Sequence, residues 1–167
     1  MTRFLRSLVA VGFSAALTAG LGGTASAANR TVPDAQPHRP SATVTASHAS
    51  AAGTLAVQDV ITCTIQVNNP HKSSHSPGSI NVTATWSCTS VVAQLSIDVY
   101  LYLNGTFVNQ GSAGTSGSSS PQGNVSSGCT TGSYQAIAIG NVTFPPGYTP
   151  PTEQQSVYSP NVYISCP

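Results

Sequence analysis

The stretch His71–Cys88, HKSSHSPGSINVTATWSC, decides how the rest of the chain reads. Its first half is polar, with two histidines and a Pro77-Gly78 pair, the composition of a turn. Its second half alternates. Ile80, Val82, Ala84, Trp86 and Cys88 fall on one face, and Asn81, Thr83, Thr85 and Ser87 on the other. A period of two belongs to a half-buried strand. Trp86 is the only tryptophan of the chain and stands two residues before a cysteine, so this face is expected at the centre of the core.

The same alternation recurs on either side. Upstream, Ile61, Cys63, Ile65 and Val67 alternate with Thr62, Thr64, Gln66 and Asn68, a strand expected to open the folded domain near Val57. Downstream, VVAQLSIDVYLYL is the longest strand, with Leu95, Ile97, Val99, Leu101 and Leu103 on one face and Ser96, Asp98, Tyr100 and Tyr102 on the other. Asn104-Gly105 follows, the dipeptide that a two-residue type I′ hairpin demands. Thr106–Asn109 should begin the returning strand. Residues 111–123, GSAGTSGSSSPQG, read as a flexible low-complexity loop.

A short strand near 124–129 and a longer one from Ser133 to Phe144 come next. Pro146-Gly147 fits a type II turn. The last strand is expected over Val157–Cys166, with Pro160 marking an edge or a bend because it has no amide hydrogen for a ladder. No amphipathic helix and no internal repeat appear in this stretch. About seven short strands predict an all-β fold, an antiparallel two-sheet sandwich of immunoglobulin-like architecture, with a barrel as the alternative.

Four cysteines allow three pairings. Cys129 precedes one strand and Cys166 ends its expected hairpin partner, so these two should meet, which leaves Cys63 with Cys88. Simple hairpin counting sets Cys63 opposite residue 84, so the second pair calls for a bulge or a crossing between sheets. Each bridge would contribute roughly 3–4 kcal/mol on the chain-entropy account.

The N-terminal segment has the parts of a secretory signal peptide. Arg3 and Arg6 form a basic region, Leu8–Ala19 an apolar one, and Ala25-Ser26-Ala27 a cleavage site, so residues 1–27 are assigned to the signal. Residues 28–55 hold no aromatic residue and are dominated by small and polar types, and are expected to be a disordered leader. Residues 56–167 then form the β-sandwich domain. After cleavage the protein is expected to be secreted, extracellular and free of the membrane, an oxidising setting that suits disulfides. Its remaining charges, Arg30, Arg39 and Lys72 against Asp34, Asp59, Asp98 and Glu153, are few and balanced. That excludes the basic footprint of a nucleic-acid partner.

The ordered run PHKSSHSPGSINVTATWSC, VYLYLNG, CTTGSYQAIAIGNVTFPPGYTPP and a terminal cysteine resembles a group of uncharacterised small secreted proteins of actinobacteria. The resemblance spans roughly residues 60–167, with H-x-x-x-H-x-P-G and F-P-P-G-Y as its most distinctive pieces. It implies an exported, disulfide-linked β-domain without an established activity.

Three constellations could carry chemistry. His71 and His75 flank Lys72 and offer a weak metal site, but the spacing to Cys63 and Cys88 matches no zinc module and both thiols are claimed by the disulfide. No metal or other cofactor is therefore expected. Serine catalysis lacks a nucleophile elbow, since no serine has glycine two residues before and after it, and the acids are too scattered for a carboxylate pair. The Asn-x-Ser/Thr triplets at Asn81, Asn104, Asn124 and Asn141 read as strand alternation rather than as glycosylation acceptors. The third constellation is the polar face of the long strand. Tyr100 and Tyr102 stand side by side there with Asp98, and Tyr148 and Tyr163 would extend the patch if their strands lie adjacent. These residues predict a non-catalytic binding or structural module, whose partner is a cell-surface polymer, a carbohydrate or an extracellular protein. A secreted protease inhibitor, presenting 145–151 or 117–128, is the alternative, and a hydrolase stands behind both.

Overall fold

A computed structural model describes residues 39–50 and 57–167. The signal-peptide assignment of 1–27 and the remainder of the 28–55 leader lie outside those residues. Ten strands are present among them: β1 (Ser41–Ser50), β2 (Val57–Val67), β3 (His71–Lys72), β4 (Ser79–Cys88), β5 (Val92–Leu103), β6 (Thr106–Ser118), β7 (Gln122–Gly128), β8 (Gly132–Thr143), β9 (Thr152–Tyr158) and β10 (Val162–Ile164).

They form two antiparallel sheets, as the alternating pattern predicts. In the first, β2 lies between β1 and β4, β7 pairs with the far edge of β4, and β3 carries the β2 edge onward along β4. In the second, β5 lies between β6 and β8, while β9 and β10 share the other edge of β8. The chain crosses between sheets after β4, β6 and β7, so β4 pairs with β7 and β5 with β8, a Greek-key arrangement. Tyr134, at the start of β8, donates its hydroxyl to Thr130 O at 2.8 Å and accepts from Thr130 N at 3.0 Å. These two bonds tie the β7–β8 connection back onto the first residues of β8.

The core fills the space between the sheets with one face of each strand. Ile61, Cys63, Ile65, Val67, Ile80, Val82 and Trp86 meet Leu95, Ile97, Val99, Leu101, Tyr134 and Ala138. Trp86 is fully buried, as its place in the alternation requires. Gly140 makes room for it: a Cβ there would stand 2.9 Å from Trp86 Cδ2.

Both disulfides join the expected partners, Cys63 to Cys88 and Cys129 to Cys166. No crossing between sheets is needed for the first. Cys63 and Cys88 are directly opposed neighbours of β2 and β4, with Cα atoms 3.9 Å apart. The simple count fails because the turn sits later in the chain: His71 and Lys72 still pair with Asn81 and Ile80 as β3, and the register is displaced by one between β2 and β3, which carries Cys88 opposite Cys63.

Two segments that read as unstructured are strands. Ser41–Ser50, inside the expected leader, pairs along its whole length with β2. Its small and polar residues need bury little, because an edge strand is held mainly by its ladder; only Ala46 is fully buried. The Gly/Ser stretch 111–123, expected to be a flexible loop, supplies the second half of β6, paired with β5 out to Ser118, then a short connection and the first residues of β7. Here small side chains serve close packing. A Cβ on Gly111 would stand 1.9 Å from Asn124 O of β7, so only glycine lets the two sheet edges meet. Asn109 Nδ2 adds a hydrogen bond of 2.7 Å to Ser126 O across the same seam. The opposite side is closed by the 145–151 turn, where Ser47 and Thr149 bond to each other through both amides at 3.0 and 2.9 Å. Unpaired edges, the usual liability of an open sheet, are thus covered on both flanks. The last strand also differs from expectation. It begins at Thr152 and is divided into β9 and β10 around Pro160.

Candidate functional site

The two outer faces of the sandwich differ in chemistry. The first sheet presents Thr43, Thr45, Thr62, Thr64, Thr83 and Thr85 among serine, asparagine and glutamine, a face made for solvent. The second presents rings and branched carbons.

Its centre is a row that crosses four strands in direct register. Gln110 of β6 lies opposite Tyr100 of β5, Tyr100 opposite Ile137 of β8, and Ile137 opposite Tyr158 of β9. The neighbouring row on one side is Ser112, Asp98, Ile139 and Ser156. On the other side Phe107, Tyr102 and Gln135 are aligned. The Phe107 ring packs 6.4 Å from Tyr100 and 6.0 Å from Tyr102, edge-on to the latter. Phe107 remains 50% exposed and Tyr158 56% exposed, while Tyr100, Tyr102 and Ile137 are half-buried by their neighbours.

Local structure sets this array. Asn104 and Gly105 both adopt positive φ, 50° and 79°, the type I′ hairpin that the dipeptide predicts. A two-residue turn puts Phe107 opposite Tyr102. The register then slips between Leu101 and Tyr102, leaving Val108 as the extra residue of a β-bulge. Beyond the bulge the faces exchange: Gln110 points outward beside Tyr100, while Asn109 and Gly111 turn toward β7.

Of the residues singled out from sequence, Asp98, Tyr100 and Tyr102 are together on this face. Tyr163 joins its rim: it lies opposite Ser133 in β10 and is 71% exposed. Tyr148 does not belong to it. It lies in the 145–151 turn, where its ring packs 5.5 Å from His48 and 6.5 Å from Phe144, and its hydroxyl donates to Asp59 Oδ2 at 2.5 Å. That hydrogen bond to the carboxylate pushes the Tyr148 pKa above its ordinary 10.0, desolvation adding to it. Tyr148 was misplaced because its position depends on where the turn folds, and the turn folds onto β1, a strand the composition had concealed. Phe107, Ile137, Ile139 and Tyr158 belong to the face and were missed. Counting from the Asn104-Gly105 turn would have found Phe107; the other three needed the β5–β8–β9 register.

Charge is nearly absent from the array. Asp98 is the one ionisable acid in its three rows, and its Oδ1 accepts a hydrogen bond of 2.5 Å from Ser112 Oγ. Neither lysine nor arginine stands in them. The surface offers ring faces, branched carbons and amides, which suits a ligand with apolar patches and hydroxyls and suits a polyanion poorly.

His71 and His75 sit away from this face and act separately. His71 Nδ1 lies 2.9 Å from Asn69 O, and His75 Nδ1 3.2 Å from Ser74 Oγ. Among the described residues no three metal-ligating side chains cluster. His71 does line a shallow depression of about 240 Å³ with Arg39, Asn68 and Asn69. No family model, curated protein or solved structure matches the chain.

Proposed function

We propose that this chain is an exported, non-catalytic binding module that holds an uncharged extracellular polymer, a carbohydrate before a protein, on the outer face of its second sheet. One observation carries the reading: aromatic and branched side chains from β6, β5, β8 and β9 form a continuous, partly exposed array on one sheet face, while the other sheet face is mainly threonine, serine, asparagine and glutamine, with Val60 its one large exposed hydrophobic residue among those described. Exposed rings standing together cost solubility without adding to the core, so their concentration on one face fits use rather than packing. Sugar rings present apolar C–H faces between hydroxyl edges, and the array pairs tyrosine and phenylalanine rings with Gln110 and Gln135 amides. A site without a cation, and whose single carboxylate is engaged by Ser112, offers little to acid–base chemistry.

Export is supported by the signal-like N-terminus and by two disulfides, which persist in oxidising surroundings. No helix among the described residues is long and apolar enough to cross a membrane. The motif resemblance to small secreted actinobacterial proteins fits the same setting. The inhibitor alternative has less support, since neither segment nominated for it is a free-standing loop: 117–128 is mostly strand, and 145–151 is bonded to β1.

The test is retention of the exported chain on cell-wall polysaccharide fractions, with Tyr100→Ala/Tyr102→Ala as the probe. Losing two ring contacts is expected to weaken retention roughly tenfold, with the circular dichroism spectrum unchanged. Equal retention of the double variant and the wild type would refute the role of this face.

A further inference from the structure

We infer, on the basis of the binding role proposed for this face, that its ligand is a linear, neutral, β-linked polysaccharide lying as a single chain across the strands from β6 toward β9.

The direction follows from the register. Tyr100 and Tyr158 flank Ile137 in one row, two strand spacings apart, so their Cα atoms stand roughly 10 Å from one another along a line perpendicular to the strands. In a β-linked chain of the extended, cellulose-like or chitin-like kind successive sugars are turned over, so every second residue presents the same C–H face, about one disaccharide further on. Tyr100 and Tyr158 can then stack on alternate sugars, and Ile137 seats the residue between them. At the β6 end Phe107, in contact with Tyr100 and Tyr102, widens the platform for the next ring. An α-linked chain of the amylose kind coils and leaves such a row after one residue.

The single-chain form follows from the twist of the sheet. Adjacent strands are rotated by about 20–25°, which turns the Tyr158 end of the row well away from the plane of Tyr100. A lone chain can follow that rotation about its glycosidic bonds; the flat face of a polysaccharide crystal cannot. Neutrality follows from the rows themselves, where Asp98 is the one charge and no cation waits for a uronate or a phosphate.

Calorimetry with soluble glucan and N-acetylglucosamine oligomers tests this. Hexamers of one or both β-linked series are expected to bind roughly tenfold more tightly than the corresponding dimers, with an α-linked glucan hexamer far weaker. Tyr158→Ala is expected to cost roughly fivefold on the β-linked hexamer and to leave dimer binding near Tyr100 unchanged, while Tyr158→Phe retains hexamer affinity. Comparable affinity for dimer and hexamer, or for the α-linked hexamer, would overturn the extended-chain ligand while leaving tyrosine-dependent retention on wall fractions intact. Retention that survives removal of all glycan from those fractions would assign the face to a protein partner and overturn it too. If no polymer is retained through Tyr100 and Tyr102, both readings fall together.

Discussion

Trp86 owes its burial to a residue on the opposite sheet. Gly140 leaves its Cβ position empty where Trp86 Cδ2 would be 2.9 Å away and Ile65 Cδ1 3.1 Å away. Gly140→Ala should therefore overpack the centre of the core and lower stability by about 1–3 kcal/mol, read from urea unfolding. Tyr148 supplies a second, pH-dependent expectation. Its pKa is raised in the folded state by the hydrogen bond to Asp59, so the bond stabilises the fold while the phenol is protonated. The contribution is fully present below the ordinary tyrosine value of 10.0 and is lost as pH rises through the raised one. Tyr148→Phe should thus be less stable than the wild type at neutral pH, with the gap closing in strongly alkaline solution. No gap at neutral pH would mean that ring packing against His48 and Phe144, which phenylalanine keeps, rather than the Asp59 bond, holds the turn. Trp86 and the alternation around it were legible from the chain alone, since burial there repeats every second residue. Gly140 and Tyr148 were not, because each is explained by an atom on a distant element.

The elements that reading from sequence missed are the two with the least side chain. β1 and the second half of β6 carry few apolar residues, so a rule that equates strand with buried alternation passes over them. Backbone pairing to an already formed neighbour holds them instead, and small residues become an advantage where two edges touch. The β6–β7 seam makes that testable. Gly111→Val places carbon within 1.9 Å of Asn124 O, a backbone atom that cannot rotate away. Fast amide exchange is expected to spread through Gly111–Ser118 and Gln122–Gly128 while β2, β4, β5 and β8 stay protected. Unchanged protection in β6 and β7 would show that the seam is not what closes this flank. The Val108 bulge belongs to the same scale: one inserted residue decides that Gln110 faces the aromatic array and Asn109 the seam.

For the molecule as a whole, the scarcity of charge in the array, with Asp98 alone, sets how the proposed binding should respond to its surroundings. Affinity for a neutral polysaccharide should change less than about twofold between low salt and roughly 0.5 M, where exposed charge interactions are screened within a few ångströms. A steep fall with salt, seen by repeating the retention assay across that range, would instead point to an anionic ligand held by Arg39 or Lys72, on the first sheet's side of the molecule. The amino-acid order by itself determined the all-β class, the antiparallel pairing, the core faces of β2, β4, β5 and β8, both disulfide partners and the Asn104-Gly105 turn. Most of those rest on a local period or on a residue whose backbone preference is intrinsic; the disulfide partners followed from expected strand neighbours and elimination, and their register came only with the fold. Only the tertiary structure decided that Ser41–Ser50 and the Gly/Ser stretch are strands, that Tyr148 anchors a turn, and that Phe107, Tyr100, Ile137 and Tyr158 share one surface. Those depend on register between strands far apart in the chain, which is settled by packing two sheets against each other and is written in no single segment.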